Sequence, residues 1–287
     1  MTGYHVVWDS PREQAYTQWE ILMQILSARM WQIRHGKVNL IADAKSLVYF
    51  KKIGVTDIYD EVEELDVSLL EGIDPKIYFA AGKISAQLQA SGDHLAFIDT
   101  DLLISSEVDR FDQEKLTVFH REFQEKSVYP NLWEHWQTEI PWDLCTQPIN
   151  CALVYWPDEE LRRNYAAMSL KFMRANTYHG RFRANSLMVT AEQRLLALYL
   201  KWKGVTPDYY IKDIYLPDID AGIVRWQSSD EGTNIETISE EFIHLWGHKS
   251  ILRNDPIQAA EYTMKLFDIC QRYPELEVES ILNKMTK

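Results

Sequence analysis

The stretch His94-Leu-Ala-Phe-Ile-Asp-Thr-Asp-Leu-Leu-Ile104 decides how the chain is read. The apolar run Leu95 to Ile98 is too short for a helix and follows the breaker Ser91-Gly92-Asp93, which predicts a buried strand. The run stops at Asp99-Thr-Asp101 and resumes with Leu102-Leu-Ile104. Two carboxylates between apolar flanks are costly unless they are paired or coordinated. Two positions apart at a strand end, they converge on one hard cation if the chain turns there, and Mg2+ and Mn2+ favour such oxygen ligands. The simpler alternative is that the pair caps a strand and opens a turn.

Working outward, short apolar runs alternate with helical periodicity. His5-Val-Val-Trp8 predicts a strand, and Trp19, Leu22, Ile25, Leu26 and Met30 form a helical stripe closed by His35-Gly36. Val38 to Ala42 predicts a second strand, Asp43 to Lys52 a short helix, and Asp57 to Asp60 a third strand. A polar stretch from Glu61 to Pro75 leads to an amphipathic helix over Tyr78 to Ala90. Further strands are expected at Leu116 to Phe119 and Ala152 to Trp156, and helices at Asp158 to Ala175 and Thr190 to Trp202. Two helices, at about 255–271 and 275–285, finish the chain. Strands separated by helices of this length indicate an α/β fold with a mainly parallel sheet, whose ligands sit beyond the carboxyl ends of the strands. Asp99 and Asp101 fall at such an end, as do Trp8 and Asp9 after the first strand and Asp43 after the second.

The bulk composition narrows the function classes. The chain has 287 residues, 46% hydrophobic and 25% charged, with a formal net charge of -13. That charge disfavours nucleic acid or an anionic membrane as the main partner, while leaving room for a small phosphate-bearing ligand. Cys145, Cys151 and Cys270 show no zinc-ligand spacing, so reduced thiols are expected. No signal peptide and no run long enough to cross a bilayer is visible, which predicts a cytoplasmic protein. One compact unit is expected, with 1–254 as its main domain and 255–287 as a C-terminal helical extension.

Leu95 to Ile104 resembles the Asp-x-Asp segment of GT-A-fold glycosyltransferases, in particular those similar to glycogenin and to bacterial lipopolysaccharide galactosyltransferases. Three further pieces follow the order of that resemblance. Lys83 lies sixteen residues before Asp99, Glu192-Gln193 opens a helix, and His244-Leu-Trp-Gly-His-Lys249 is similar to a late His-x-x-Gly motif with a nearby Lys. His248 is the weaker ligand choice in that segment. Two departures stand out. Lys249 follows Gly247 by only two positions, and Asn150-Cys-Ala152 stands where many relatives carry Asn-x-Gly. Ala152 adds a Cβ where the backbone would approach the donor sugar.

The resemblance implies a GT-A (Rossmann-like), mixed, mainly parallel sheet flanked by helices. It implies Asp99, Asp101 and His244 around Mn2+ or Mg2+, and Trp8, Asp9, Asp43, Lys83, Asp99 and Lys249 toward a nucleoside-diphosphate sugar, with UDP the favoured nucleotide. The acceptor is of carbohydrate type, and transfer is of hexosyltransferase type with retention of configuration favoured. Glu192, Gln193, Glu122 and Asp143 are the candidate catalytic residues, with Trp133, Trp136 and Trp142 in a loop suited to packing on sugar rings. Two alternatives remain: a catalytically degenerate GT-A scaffold acting as a binding protein, and a haloacid-dehalogenase-type phosphatase. The latter normally has a hydroxyl residue where Leu103 stands.

Overall fold

The structure, a computed structural model, describes residues 1–9, 16–105, 112–122, 128–132, 138–176, 184–211, 242–245 and 249–285. Its strands are β1 (Thr2–Val7), β2 (Val38–Ala42), β3 (Glu61–Glu64), β4 (Leu95–Ile98), β5 (Leu102–Ile104), β6 (Thr117–Arg121), β7 (Ile149–Trp156), β8 (Asp208–Tyr209) and β9 (Phe242–His244). The helices are α1 (Gln18–His35), α2 (Ala44–Lys52), α3 (Ala81–Gln89), α4 (Glu159–Ala175), α5 (Ala184–Val189), α6 (Leu195–Trp202), α7 (Lys249–Asn254), α8 (Pro256–Arg272) and α9 (Val278–Met285). The large sheet runs β3-β2-β1-β4-β7-β6-β8, and β5 pairs with β9 in a separate ribbon. β1 is parallel to β2 and β4, β2 to β3, and β6 to β8; β7 alone is antiparallel to its neighbours. The fold is therefore α/β with a mixed, mainly parallel sheet flanked by helices, as expected from the alternation of runs.

Period-two burial divides the core between the two faces of the sheet. Leu40, Ala42, Ala96 and Ile98 pack with α1, β5, β9 and α8, while Ile41, Leu95 and Phe97 pack with α3, α4 and α6. α1 is buried nearly all round because the sheet covers one side and β5 and α8 cover the other. Gly3 makes the first contact possible, since a Cβ there would lie 2.5 Å from the Trp31 indole nitrogen. The C-terminal helices belong to the same core: Tyr262, Leu266 and Ile269 of α8 are buried with α1, and Arg29 reaches the Leu276 carbonyl at 3.1 Å. Among the described residues, no helix is long and apolar enough to cross a membrane.

One strand lies elsewhere than expected. Val55–Ile58 forms a 3-10 turn, and β3 begins only at Glu61. The Asp60 side chain accepts from the Val38 amide at 2.8 Å, which pins the turn beside β2. β3 itself reads Glu-Val-Glu-Glu and shows no apolar alternation because it is an edge strand, where exposed charge guards against pairing with another chain.

α3 leads directly into β4, and its C-terminal end is closed from another helix. The buried guanidinium of Arg162 on α4 donates to the carbonyls of Gln87, Ala90 (2.8 Å) and Gly92 (3.0 Å). These are carbonyls that a helix end and its following turn leave without partners. Arg162→Leu should therefore cost about 2–3 kcal/mol or more of unfolding free energy in urea denaturation, the penalty for stranding buried acceptors. A loss below about 0.5 kcal/mol, typical of an ordinary surface change, would contradict this role.

Candidate functional site

The carboxyl ends of β1, β2 and β4 lie side by side and are followed by Trp8-Asp9, Asp43 and Asp99 respectively. After β4 the chain turns tightly, the Leu102 amide donating to the Asp99 carbonyl at 3.0 Å. β5 then runs antiparallel to β9, with Leu102 opposite His244, and the Leu245 amide donates to the Asp101 carbonyl at 3.3 Å. This pairing brings His244 to the two aspartates across a sequence gap that no local signal spans. One ligand atom each from Asp99, Asp101 and His244 all lie within 4.8 Å of one another.

The electrostatics of the cluster fit a divalent cation. Asp101 is only 5% exposed, and neither of its carboxylate oxygens receives a hydrogen bond among the described residues. Lys249 Nζ stands 2.9 Å from Asp101 Oδ1, but out of line for a hydrogen bond, and His244 Nε2 lies 3.9 Å from Oδ2. Burial lowers the His244 pKa, outweighing the pull of Asp101 and Asp99, and so favours the neutral imidazole, the form that coordinates metal. The Phe119 ring meets that imidazole edge-on at 5.3 Å and fixes its plane. Two carboxylates and an imidazole, with the buried Asp101 oxygens receiving no hydrogen bond among the described residues, are a donor set suited to Mn2+ or Mg2+.

Lys83, on α3, binds the cluster from behind. Its ammonium donates to Asp99 Oδ1 at 2.6 Å and to the Cys151 carbonyl, and lies 3.0 Å from Glu192 Oε1. Burial works to lower its pKa, but Asp99 and Glu192 outweigh it and leave Lys83 above the ordinary value. For Asp99 burial works upward, but Lys83 and Lys249 outweigh it and hold the carboxyl below its usual value. The Cys151 carbonyl is available because β7 bulges there. Val118 pairs with Val154 and His120 with Asn150, so two steps along β6 match four along β7. Bulges of this kind re-aim backbone groups beside functional sites. Ala152 is buried in the core, and its carbonyl accepts from the Asp99 amide at 2.7 Å.

Glu192 and Gln193 lie in a π-helical turn, Thr190–Arg194, between α5 and α6, a feature that nothing in the sequence signals. The carbonyls of the widened turn are taken by α4: Ser169 donates to the Ala191 carbonyl at 2.7 Å and Tyr165 to that of Glu192 at 2.6 Å. The turn delivers Glu192 to Lys83, while Gln193 accepts from the Tyr129 hydroxyl. Arg194 donates to the carbonyls of Asp143, Leu144 and Thr146 and lies over the Trp142 ring at 4.9 Å, so it anchors the aromatic loop. Single-turn π-bulges are frequent at functional sites.

The remaining candidates divide. Trp8 is half-buried and seats on Gly82, where an added Cβ would collide with the Trp8 Cβ, so only glycine admits this contact. Asp43 caps α2 through the Ser46 amide at 2.9 Å and also accepts from the Asp9 amide at 2.5 Å; Asp9 pairs with Lys45 at 2.9 Å. Asp143 is not brought to the cation cluster by any of its bonds. Its carboxylate is committed to Lys201 (2.5 Å), Thr146 (2.7 Å) and the Cys145 amide (2.8 Å), which hold it well below the usual carboxylate range. Glu122 is buried at the end of β6 and accepts from Asn150 Nδ2 at 2.6 Å, while Asn150 Oδ1 accepts from the Ala152 amide at 2.9 Å. The sequence showed both residues but not their link. Trp133, Trp136, Trp246, Gly247 and His248 lie outside the described residues.

Burial raises the Glu122 pKa from 4.5 to about 7, against the opposing hydrogen bond from Asn150. The folded chain thus holds a proton that the unfolded chain releases above pH 4.5. The Glu122 contribution to stability is greatest below that pH, falls as pH rises toward about 7, and is level above it. Glu122→Gln removes this dependence. Relative to the parent, the variant should gain up to about 3 kcal/mol between about pH 4 and about pH 8 in urea denaturation, since each pH unit between the folded and unfolded pKa is worth about 1.36 kcal/mol. Parallel curves for the two proteins would contradict the assignment.

No protein-family model matches the chain, and no curated protein sequence does. Among solved structures, an active-site mutant of LgtC is similar at a TM-score of 0.48 and 10% identity, over 86% of this chain and 88% of that one. The PaToxG glycosyltransferase is similar at a TM-score of 0.44 and 9% identity, over 70% of this chain and 69% of that one.

Proposed function

We propose that the chain transfers a sugar from a nucleoside-diphosphate sugar, with UDP as the nucleotide, to a carbohydrate-type acceptor. Mn2+ or Mg2+ would be held by Asp99, Asp101 and His244. The observation that carries this reading is the Asp99, Asp101 and His244 donor set at the carboxyl ends of the parallel strands, with buried Asp101 oxygens that receive no hydrogen bond among the described residues. When bound, the cation supplies Lewis-acid stabilisation to the departing diphosphate.

The chain's own residues would do the rest. Lys249 is the exposed cation beside Asp101, and it meets the charge that develops on the leaving phosphate. Lys83 is enclosed by Asp99, Glu192 and the Cys151 carbonyl, so it orients both carboxylates more than it reaches outward. Trp8, Asp9 and Asp43 border the nucleoside, with Trp8 offering a ring face and the Asp9–Asp43 clasp fixing the loop after β1. Glu192 and Gln193 face the donor sugar, and the Arg194-anchored loop carrying Trp142 borders the acceptor. Glu122, whose pKa lies near neutrality, is placed to hold a proton beside Asn150. Asp143 takes no proton-transfer part, since its carboxylate is fully engaged. Hexosyl transfer with retention of configuration is the course favoured by the resemblance noted from the sequence. Residues 1–254 would form the catalytic unit and 255–287 its extension, and the reaction would take place in the cytoplasm.

Calorimetry with UDP and with GDP, with and without Mn2+, tests the proposal alongside turnover of UDP-sugars. Metal-dependent UDP binding is expected, weakened in Asp101→Ala by more than the about 10-fold that loss of a partner behind a ligand costs. Binding without turnover of any UDP-sugar would move the reading to a binding protein on this scaffold. No nucleotide binding, or turnover that survives both Asp101→Ala and a chelator, would overturn it.

A further inference from the structure

A buried polar chain runs from the centre of the sheet to the cation cluster, and none of its members belongs to that cluster. His5 lies on β1 between Tyr59 and Ser27, its Nδ1 2.9 Å from the Tyr59 hydroxyl and its Nε2 3.1 Å from Ser27 Oγ. Gln24 Nε2 donates to the Tyr59 hydroxyl at 2.8 Å, and Ser27 Oγ donates to the Leu102 carbonyl at 2.5 Å. Gln24 and Ser27 both come from α1, and His5, Gln24 and Ser27 are fully enclosed.

The donors fix the direction of every bond. A backbone carbonyl only accepts, so the single Ser27 proton points to Leu102. Ser27 Oγ must then accept from His5, which places the imidazole proton on Nε2. His5 Nδ1 is left as an acceptor and takes the Tyr59 proton, and the Tyr59 oxygen takes one from Gln24. Burial pushes the His5 pKa down to about 3, so the ring stays neutral and the chain keeps this single sense.

The end point gives the chain its significance. Leu102 directly follows Asp101, and it is the residue opposite His244 in the β5–β9 ribbon. His5 itself sits opposite Ile98, the residue before Asp99. Holding the Leu102 carbonyl thus fixes the backbone next to two of the three ligands, and His5, which donates to Ser27, is in register with the residue that precedes the third. We infer that His5 and Ser27 are positioning residues for the cation site, acting through the Leu102 carbonyl, with Tyr59 and Gln24 setting the direction of the chain. This rests on the cation reading of Asp99, Asp101 and His244 given above. Partners behind a first shell of ligands set affinity as well as orientation.

The test is Mn2+ affinity of the full chain, read from the free-ion electron paramagnetic resonance signal without any substrate. Ser27→Ala places a better helix former inside α1, so the helix itself is not put at risk. It should weaken Mn2+ binding by about 10-fold, the lower end of what outer partners contribute. Tyr59→Phe, which removes only the far hydroxyl, should weaken it in the same sense. The double variant should be no weaker than Ser27→Ala alone, because both changes break one chain. Leu170→Ala, a core truncation on α4 in the opposite face, lowers stability and should leave Mn2+ affinity unchanged. Parental affinity within twofold in both Ser27→Ala and Tyr59→Phe would overturn the inference while the cation reading stands, as would an equal loss in Leu170→Ala. No Mn2+ binding by the parent chain would overturn the cation reading and this inference with it.

Discussion

A buried carboxylate without hydrogen-bond donors is among the least favourable groups a fold can hold, and among the described residues none donates a hydrogen bond to Asp101. The effective penalty for such a group is several kcal/mol, on the order of what one small domain has to spare. Among the described residues, Lys249 stands 2.9 Å from Asp101 and the His244 imidazole 3.9 Å away. A divalent cation placed among Asp99, Asp101 and His244 would relieve this cost. The arrangement around it reads as a support for these three side chains: a tight turn from Asp99 to Leu102, a two-stranded ribbon that brings in His244, and Lys83 behind Asp99.

The same constraint would let an acidic chain handle the phosphate-bearing substrate proposed for it. The net charge of -13 works against diffuse attraction of anions, so recognition has to be local. Lys83 and Lys249 are the cations that face the aspartate pair among the described residues, and they differ in exposure. Lys83 is walled in by two carboxylates and a carbonyl exposed by the β7 bulge, whereas Lys249 opens α7 at the surface. The π-helical turn completes the plan. It sets Glu192 against Lys83, Gln193 against Tyr129 and Arg194 against the loop that carries Trp142, so one widened turn couples the Asp99, Asp101 and His244 cluster to the aromatic loop.

Local features were legible in the sequence, and features made by distant pairing were not. β4 with its Asp-x-Asp end could be read because a short apolar run between breakers has few other interpretations. The strand through His244 could be placed only by resemblance. β3 was misplaced because an edge strand of Glu-Val-Glu-Glu carries no apolar alternation, and the neighbouring Asp57 to Asp60 looked more like a strand than the 3-10 turn it enters. Glu122 and Asn150 were each visible, but their bond depends on a register shift between β6 and β7. Nothing in Thr190 to Arg194 announces a π turn, since its cause lies in Ser169 and Tyr165 on another helix. The His5–Ser27 chain was equally hidden, because a histidine inside an apolar strand reads first as a buried polar residue with some partner.

The Asp99, Asp101 and His244 cluster stands or falls as a cation site on direct sight of the ion. Anomalous diffraction at the manganese absorption edge, from crystals of the full chain grown with Mn2+ and UDP, addresses it most directly. A manganese peak bounded by carboxylate oxygens of Asp99 and Asp101 and a ring nitrogen of His244 is the predicted result. Density for UDP with the manganese elsewhere, or no manganese peak near Asp101, would contradict it.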